Sequence, residues 1–168
     1  MTERETAAIW CRVQAGEETF FSATSTKGRV KNFLPETENC FFADRNGILF
    51  REAPTVSGTL QTVFYFTGQK TADLGQVGVN AEILNSAAEL KKQARNFDVG
   101  ISGFLLAEKN GKELTALTSE GWRVFFNPDS SPVSQIKVLA ALLADEIKGK
   151  RAELEYVDLR LPNRAYYK

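Results

Sequence analysis

The stretch VGISGFLLAEKNGKELTALTSEGWRVFFN, residues 99–127, decides the fold. It holds three runs rich in β-branched and aromatic residues, VGISGFLLAE at 99–108, KELTALT at 112–118 and GWRVFFN at 121–127. Such residues suit a pleated, half-buried surface. Asn110-Gly111 and Glu120-Gly121 separate them, and a tight turn leaves room for no other pairing than an antiparallel one. The segment therefore predicts three consecutive strands in a meander.

Outward from it lie two helices. On the C-terminal side Ser131 is an N-cap and Pro132 takes the first helical position. Val133, Ile136, Ala140, Leu143 and Ile147 form the predicted buried stripe, and Gly149 is the predicted stop. On the N-terminal side Asn80 caps a helix over Ala81–Phe97, with Ile83, Ala87, Leu90, Ala94 and Phe97 on one apolar face. Further out, LQTVFYF at 60–66 reads as a strand, REAPTVSG at 51–58 as a connector, and CFFADRNGILF at 40–50 as a hairpin about Asn46-Gly47. That turn needs positive φ, which Asn and Gly tolerate best. Ala7–Val13 is a first strand, and residues 14–39 an extended loop. The order strands, helix, meander, helix, strand predicts an α+β domain: an antiparallel β-sheet with two α-helices packed on one face.

Composition narrows the function. A chain of 168 residues can bury one good core. Lys+Arg and Asp+Glu both number 21, and no single-sign tract is present to follow a nucleic-acid backbone, so no nucleic-acid partner is expected. The chain has no histidine, which removes the usual general base, the Ser-His and Cys-His pairs and the commonest metal ligand. Asp44, Glu108, Glu113 and Asp158 are carboxylates on or beside strands, with no spacing that makes an acid pair. Gly100, Gly103 and Gly111 form no phosphate loop, because no Gly-rich turn leads from a strand into a helix. Trp10 and Trp122 sit inside strand patterns and read as core. No catalytic residue, metal site or cofactor is expected. No stretch approaches the roughly 18–20 apolar residues of a membrane span, and MTERETAAIWCR lacks a signal-peptide core, so the chain as given is expected to be soluble. Cys11 and Cys40 are too few for a zinc site; a disulfide and two buried thiols both remain open.

The chain closes with LEYVDLRLPNRAYYK, residues 154–168. Val157, Leu159 and Leu161 alternate with Tyr156, Asp158 and Arg160, as the two faces of a strand do. Pro162-Asn163 then turns the chain into Arg164-Ala165-Tyr166-Tyr167-Lys168, which is too short and polar for a core strand. This is predicted to be a sheet edge. Tyr156, Asp158, Arg160, Leu161, Asn163, Arg164, Ala165, Tyr166 and Tyr167 are the candidate partner-binding residues.

Several segments together resemble the extracytoplasmic β-domain of the bacterial cell-division protein family FtsQ/DivIB. ER followed by AAIWC at 3–11 resembles the strand that closes that family's POTRA domain. CFFADRNGILFREAP at 40–54 resembles its V-D-x-x-G-x-x-F segment, EGWRVFF at 120–126 an internal strand, and LEYVDLRLPNR at 154–164 its terminal V-D-L-R stretch. They span nearly the whole chain in the family's order. The family's cytoplasmic tail, transmembrane helix and most of its POTRA domain have no counterpart here, and the 14–39 insert is longer than usual. The resemblance implies residues 1–13 as the end of a POTRA domain and 14–168 as the β-domain. It implies a non-enzymatic divisome scaffold, anchored in the cell membrane by a preceding helix, with this domain outside the cytoplasm at the septum. Its partners would be FtsB- and FtsL-like proteins, added as a strand at the C-terminal edge. It also favours the Cys11–Cys40 disulfide, since a subset of such proteins shows the WC…C arrangement. The competing expectation from the residues alone is a small ligand-binding or enzymatic α+β domain that uses the sheet face as a pocket floor.

Overall fold

The computed structural model describes residues 4–13, 37–54, 61–68, 72–106 and 113–168. The strands are β1 (Ala8–Val13), β2 (Thr37–Ala43), β3 (Leu49–Ala53), β4 (Thr62–Phe66), β5 (Ile101–Leu106), β6 (Leu114–Thr118), β7 (Arg123–Phe126), β8 (Tyr156–Asp158) and β9 (Tyr166–Tyr167). The helices are α1 (Ala81–Arg95) and α2 (Pro132–Leu142). The nine strands among the described residues form one sheet in the order β3-β2-β1-β4-β5-β6-β7-β8-β9. The loop expected over 14–39 falls largely outside the described residues, as do Glu108, the Asn110-Gly111 turn and the end of the 51–58 connector.

The α+β class stands, but the sheet is mixed rather than antiparallel. β1 runs parallel to β4, β4 to β5 and β7 to β8, while β1–β2, β2–β3, β5–β6, β6–β7 and β8–β9 are antiparallel. Two of the three parallel pairs, β4–β5 and β7–β8, follow from the two helices. A helix that follows a strand carries the chain back to the strand's starting end, so the next strand must run the same way. α1 does this between β4 and β5, and α2 between β7 and β8. The antiparallel pairings of the expected meander β5–β6–β7 are present, with the Asn110-Gly111 turn itself outside the described residues.

Both helices lie on one face, over a core that includes Trp10, Phe64, Phe104, Phe126 and Val157 from the sheet with Leu90 from α1 and Leu139 from α2. The opposite face carries a smaller cluster of Ile9, Cys11, Val13, Cys40, Val63, Tyr65, Leu105 and Leu117. Asn80 caps α1 by accepting the Glu82 N–H at 2.7 Å, and Ser131 caps α2 by accepting that of Ser134. Ile83, Ala87, Leu90 and Ala94 are buried as their spacing demands, but Phe97 lies beyond the end of α1 and is 43% exposed.

The buried stripe of α2 is the expected one in part: Ile136, and beyond the helix Leu143 and Ile147, are buried, while Ala140 is only half-buried. Gln135, Ile136, Leu139 and Leu142 face inward, and Val133 is exposed. Gly149 does not stop the helix. A widened turn, Leu143–Ile147, keeps Leu143 and Ile147 against the core, and a 3-10 segment, Lys148–Glu153, follows, entered with Lys148 at φ 49°. The wide turn follows α2, so it sets the path of the chain beyond Leu142 and not the inward face within the helix.

The 40–50 hairpin forms about a four-residue turn. The Asp44 carboxylate accepts the N–H groups of Asn46 and Ile48 at 2.9 and 3.1 Å, and only Gly47 has positive φ, at 76°. A type I turn closed by a glycine thus replaces the expected turn in which both Asn and Gly have positive φ. Cys11 lies opposite Cys40 across β1 and β2, and the two are joined by a disulfide.

Candidate functional site

β9 owes its position to the preceding turn. Asn163 adopts φ 57°, a conformation Asn tolerates, and the Arg164 N–H reaches back to the Leu161 carbonyl. The chain then runs antiparallel to β8, with Asp158 opposite Tyr166 and Val157 opposite Tyr167. The Tyr156 and Lys168 backbones exchange N–H to carbonyl bonds at 3.2 and 3.1 Å. Pairs that exchange bonds alternate with pairs that do not. Tyr166 and Lys168 therefore point their backbone groups inward at β8, and Ala165 and Tyr167 point theirs outward. Among the described residues no strand lies beyond β9, so the expected edge is present there, two positions deep.

The register also sorts the side chains. Val157 is fully buried on the helix side, so Tyr167 opposite it stands on that side, 46% exposed. Leu161 is 54% exposed, not core as its alternation suggested, because β8 ends at Asp158 and the chain bends away. Leu161 instead joins Leu159, Val138, Ser131, Ser134 and Arg164 around a groove of about 270 Å³ between the start of α2 and the Pro162-Asn163 turn. Among the described residues Arg164 is the one charged group in its lining. The groove's wall is pinned by Gln135, which sequence reasoning missed. Its buried amide accepts the Asn127 N–H at 2.8 Å and donates to the Asn127 carbonyl at 2.8 Å, tying α2 to the end of β7. A polar residue inside an apolar stripe was the available signal.

Tyr156, Asp158, Arg160 and Tyr166 belong to the opposite face. There the Asp158 carboxylate accepts from the Arg160 backbone N–H, Nε and Nη2 at 3.0, 2.9 and 2.6 Å. Glu113 takes Nη1 of the same guanidinium at 2.9 Å. The hydrogen bonds from Arg160 hold the Asp158 carboxyl below its ordinary value, against the opposing effect of burial. The same bond raises Arg160. The guanidinium also lies 5.1 Å from the Phe125 ring, with Arg123 at 5.9 Å from it and Tyr156 edge-on at 5.8 Å. Arg160 is thus already satisfied within the chain, so its role is to shape this face, not to offer a bare charge. Phe125 and Arg123 were missed because only the parallel β7–β8 pairing places Phe125 beside Asp158.

The candidate residues so divide into an edge (Ala165, Tyr167), a groove (Leu161, Asn163, Arg164) and an opposite face (Tyr156, Asp158, Arg160, Tyr166). Cys11 and Cys40 lie far across the sheet from all of them. Among the described residues no three His, Cys, Asp or Glu side chains converge as metal ligands, and no helix is long and apolar enough to cross a membrane. No protein-family model matches the chain, and no curated protein matches its sequence.

Proposed function

We propose that this chain is the extracytoplasmic β-domain of a cell-division scaffold of the FtsQ/DivIB type, and that it acts without catalysis by taking one strand from an FtsB- or FtsL-like partner at β9. The observation that carries the reading is the outward row of backbone groups at Ala165 and Tyr167 on a sheet edge with no further strand among the described residues. An unpaired edge is a hazard unless something completes it, and strand addition satisfies it with main-chain bonds. The apolar groove beside the edge gives such a strand a seat for one side chain. The Cys11–Cys40 disulfide supports an oxidising compartment, and hence a place outside the cytoplasm.

The register supplies the test. Proline at Tyr167 removes an outward donor and is tolerated on an edge, whereas proline at Tyr166 removes an inward donor that pairs with β8. Binding of an FtsB-like extracytoplasmic peptide is measured by calorimetry on wild type and Tyr167→Pro, with melting followed in parallel. The expected result is at least roughly tenfold weaker binding, about one or two backbone bonds, at an unchanged melting temperature. Equal affinity of the two proteins sinks the reading.

A further inference from the structure

The sheet has a second edge, β3, and it is treated quite differently from β9. Residues 73–79 run across it as a strap. The Leu49 N–H donates to the Gln76 carbonyl at 2.9 Å, and the Gly75 N–H donates to the Leu49 carbonyl at 2.7 Å. Ile48 bridges Val77, and the Gly78 N–H bonds the Gly47 carbonyl at 2.9 Å. Both outward groups of Leu49 are consumed. The strap is itself locked by a turn in which the Gln76 N–H donates to the Asp73 carbonyl and the Asp73 N–H to the Gln76 side chain. It sits so close that a Cβ on Gly47 would lie 1.7 Å from the Val79 carbonyl oxygen, and one on Gly78 would lie 2.7 Å from a Leu49 methyl.

Past Leu49 the edge is guarded in other ways. Arg51 and Glu52 are exposed charges, and Pro54 ends the strand without an N–H to offer. This protection has a purpose. A sheet open at both ends can join β9 of one copy to β3 of the next, a head-to-tail contact that does not close and so grows into filaments. Long-range repulsion cannot prevent it, because the chain's formal net charge is zero. The guard has to be local.

We infer that the 73–79 strap is a seal over the β3 edge: it confines strand addition to β9 and keeps copies of this chain from stringing together through their sheets. The β9 half of this statement rests on the function proposed above; the seal does not.

Gly75 tests it without touching the core, because it is exposed and a Cβ there meets nothing within 4 Å. Gly75→Pro removes the N–H bonded to Leu49 and cannot hold the native φ of 87°. Gly75→Val keeps the N–H but strains the same φ, so it loosens the strap more gently. Both are studied by sedimentation over a concentration series, with hydrogen exchange at the Leu49 amide. Wild type is expected to remain at its 18.7 kDa monomer mass with Leu49 protected. The variants are expected to lose that protection and to form species whose mass grows with concentration. Adding Tyr167→Pro is expected to return them to monomers. A variant that stays monomeric with an exchanging Leu49 amide overturns the seal, as does wild type that associates or a Gly75→Pro protein whose Leu49 remains protected. Association that survives Tyr167→Pro upholds the seal and counts against β9 as the receptive edge.

Discussion

Removing the crosslink between Cys11 and Cys40 should cost stability and nothing else. The bridge spans 29 residues of sequence. On the chain-entropy model a closed loop of that length removes about 12 cal/mol/K from the unfolded ensemble, or about 3.6 kcal/mol at 25 °C. For a chain of this size each kcal/mol moves the melting temperature by about 2–4 °C, so reduction should lower it by roughly 7–14 °C. The loss should appear in the unfolding equilibrium rather than in the fold, because β1 is held on both sides, by β2 and by β4, without the bridge. The cleanest comparison is wild type with and without reductant, since both sulfurs then remain in place. A Cys11→Ala/Cys40→Ala protein adds the cost of two vacated buried sites and should melt lower still. Strand-peptide binding at β9, far across the sheet, should be unchanged below the melting range. A reduced protein that melts within about 3 °C of the oxidised one would refute the entropic argument.

Two further outcomes follow from the site. Gln135→Leu strands the Asn127 N–H and carbonyl at the end of β7, so it should destabilise by about 2–3 kcal/mol in urea unfolding, while a neutral result would mean that water or another group satisfies them. Asp158 has a folded-state value below its ordinary 3.8, so its stabilising effect is fully present above that pH and fades as pH falls through the lower, folded value. The stability gap between wild type and Asp158→Asn should therefore hold constant from neutral pH to the mildly acidic range and close below 3.8; a gap that persists in strong acid contradicts the assignment.

Local chemistry settled much of this protein in advance. Turn residues placed the 40–50 hairpin and the β6–β7 hairpin, caps placed both helices at Asn80 and Ser131, and alternation with Pro162-Asn163 placed a returning strand at the C-terminus. Each of these is fixed by interactions within a few residues, so a sequence window contains the information. Tertiary structure decided the remainder. Whether β7 and β8 run parallel depends on where α2 returns the chain, and that pairing, together with β6–β7, assembles Phe125, Asp158, Arg160 and Glu113 into one face. Which further α2 residues are buried, Gln135, Leu139 and Leu142, depends on how the helix packs on α1 and the sheet. Which backbone groups of β9 face outward is a matter of register with β8, and the sealing of β3 by residues 73–79 joins segments far apart in the chain. These features arise from long-range pairing, whose geometry no local pattern of side chains encodes.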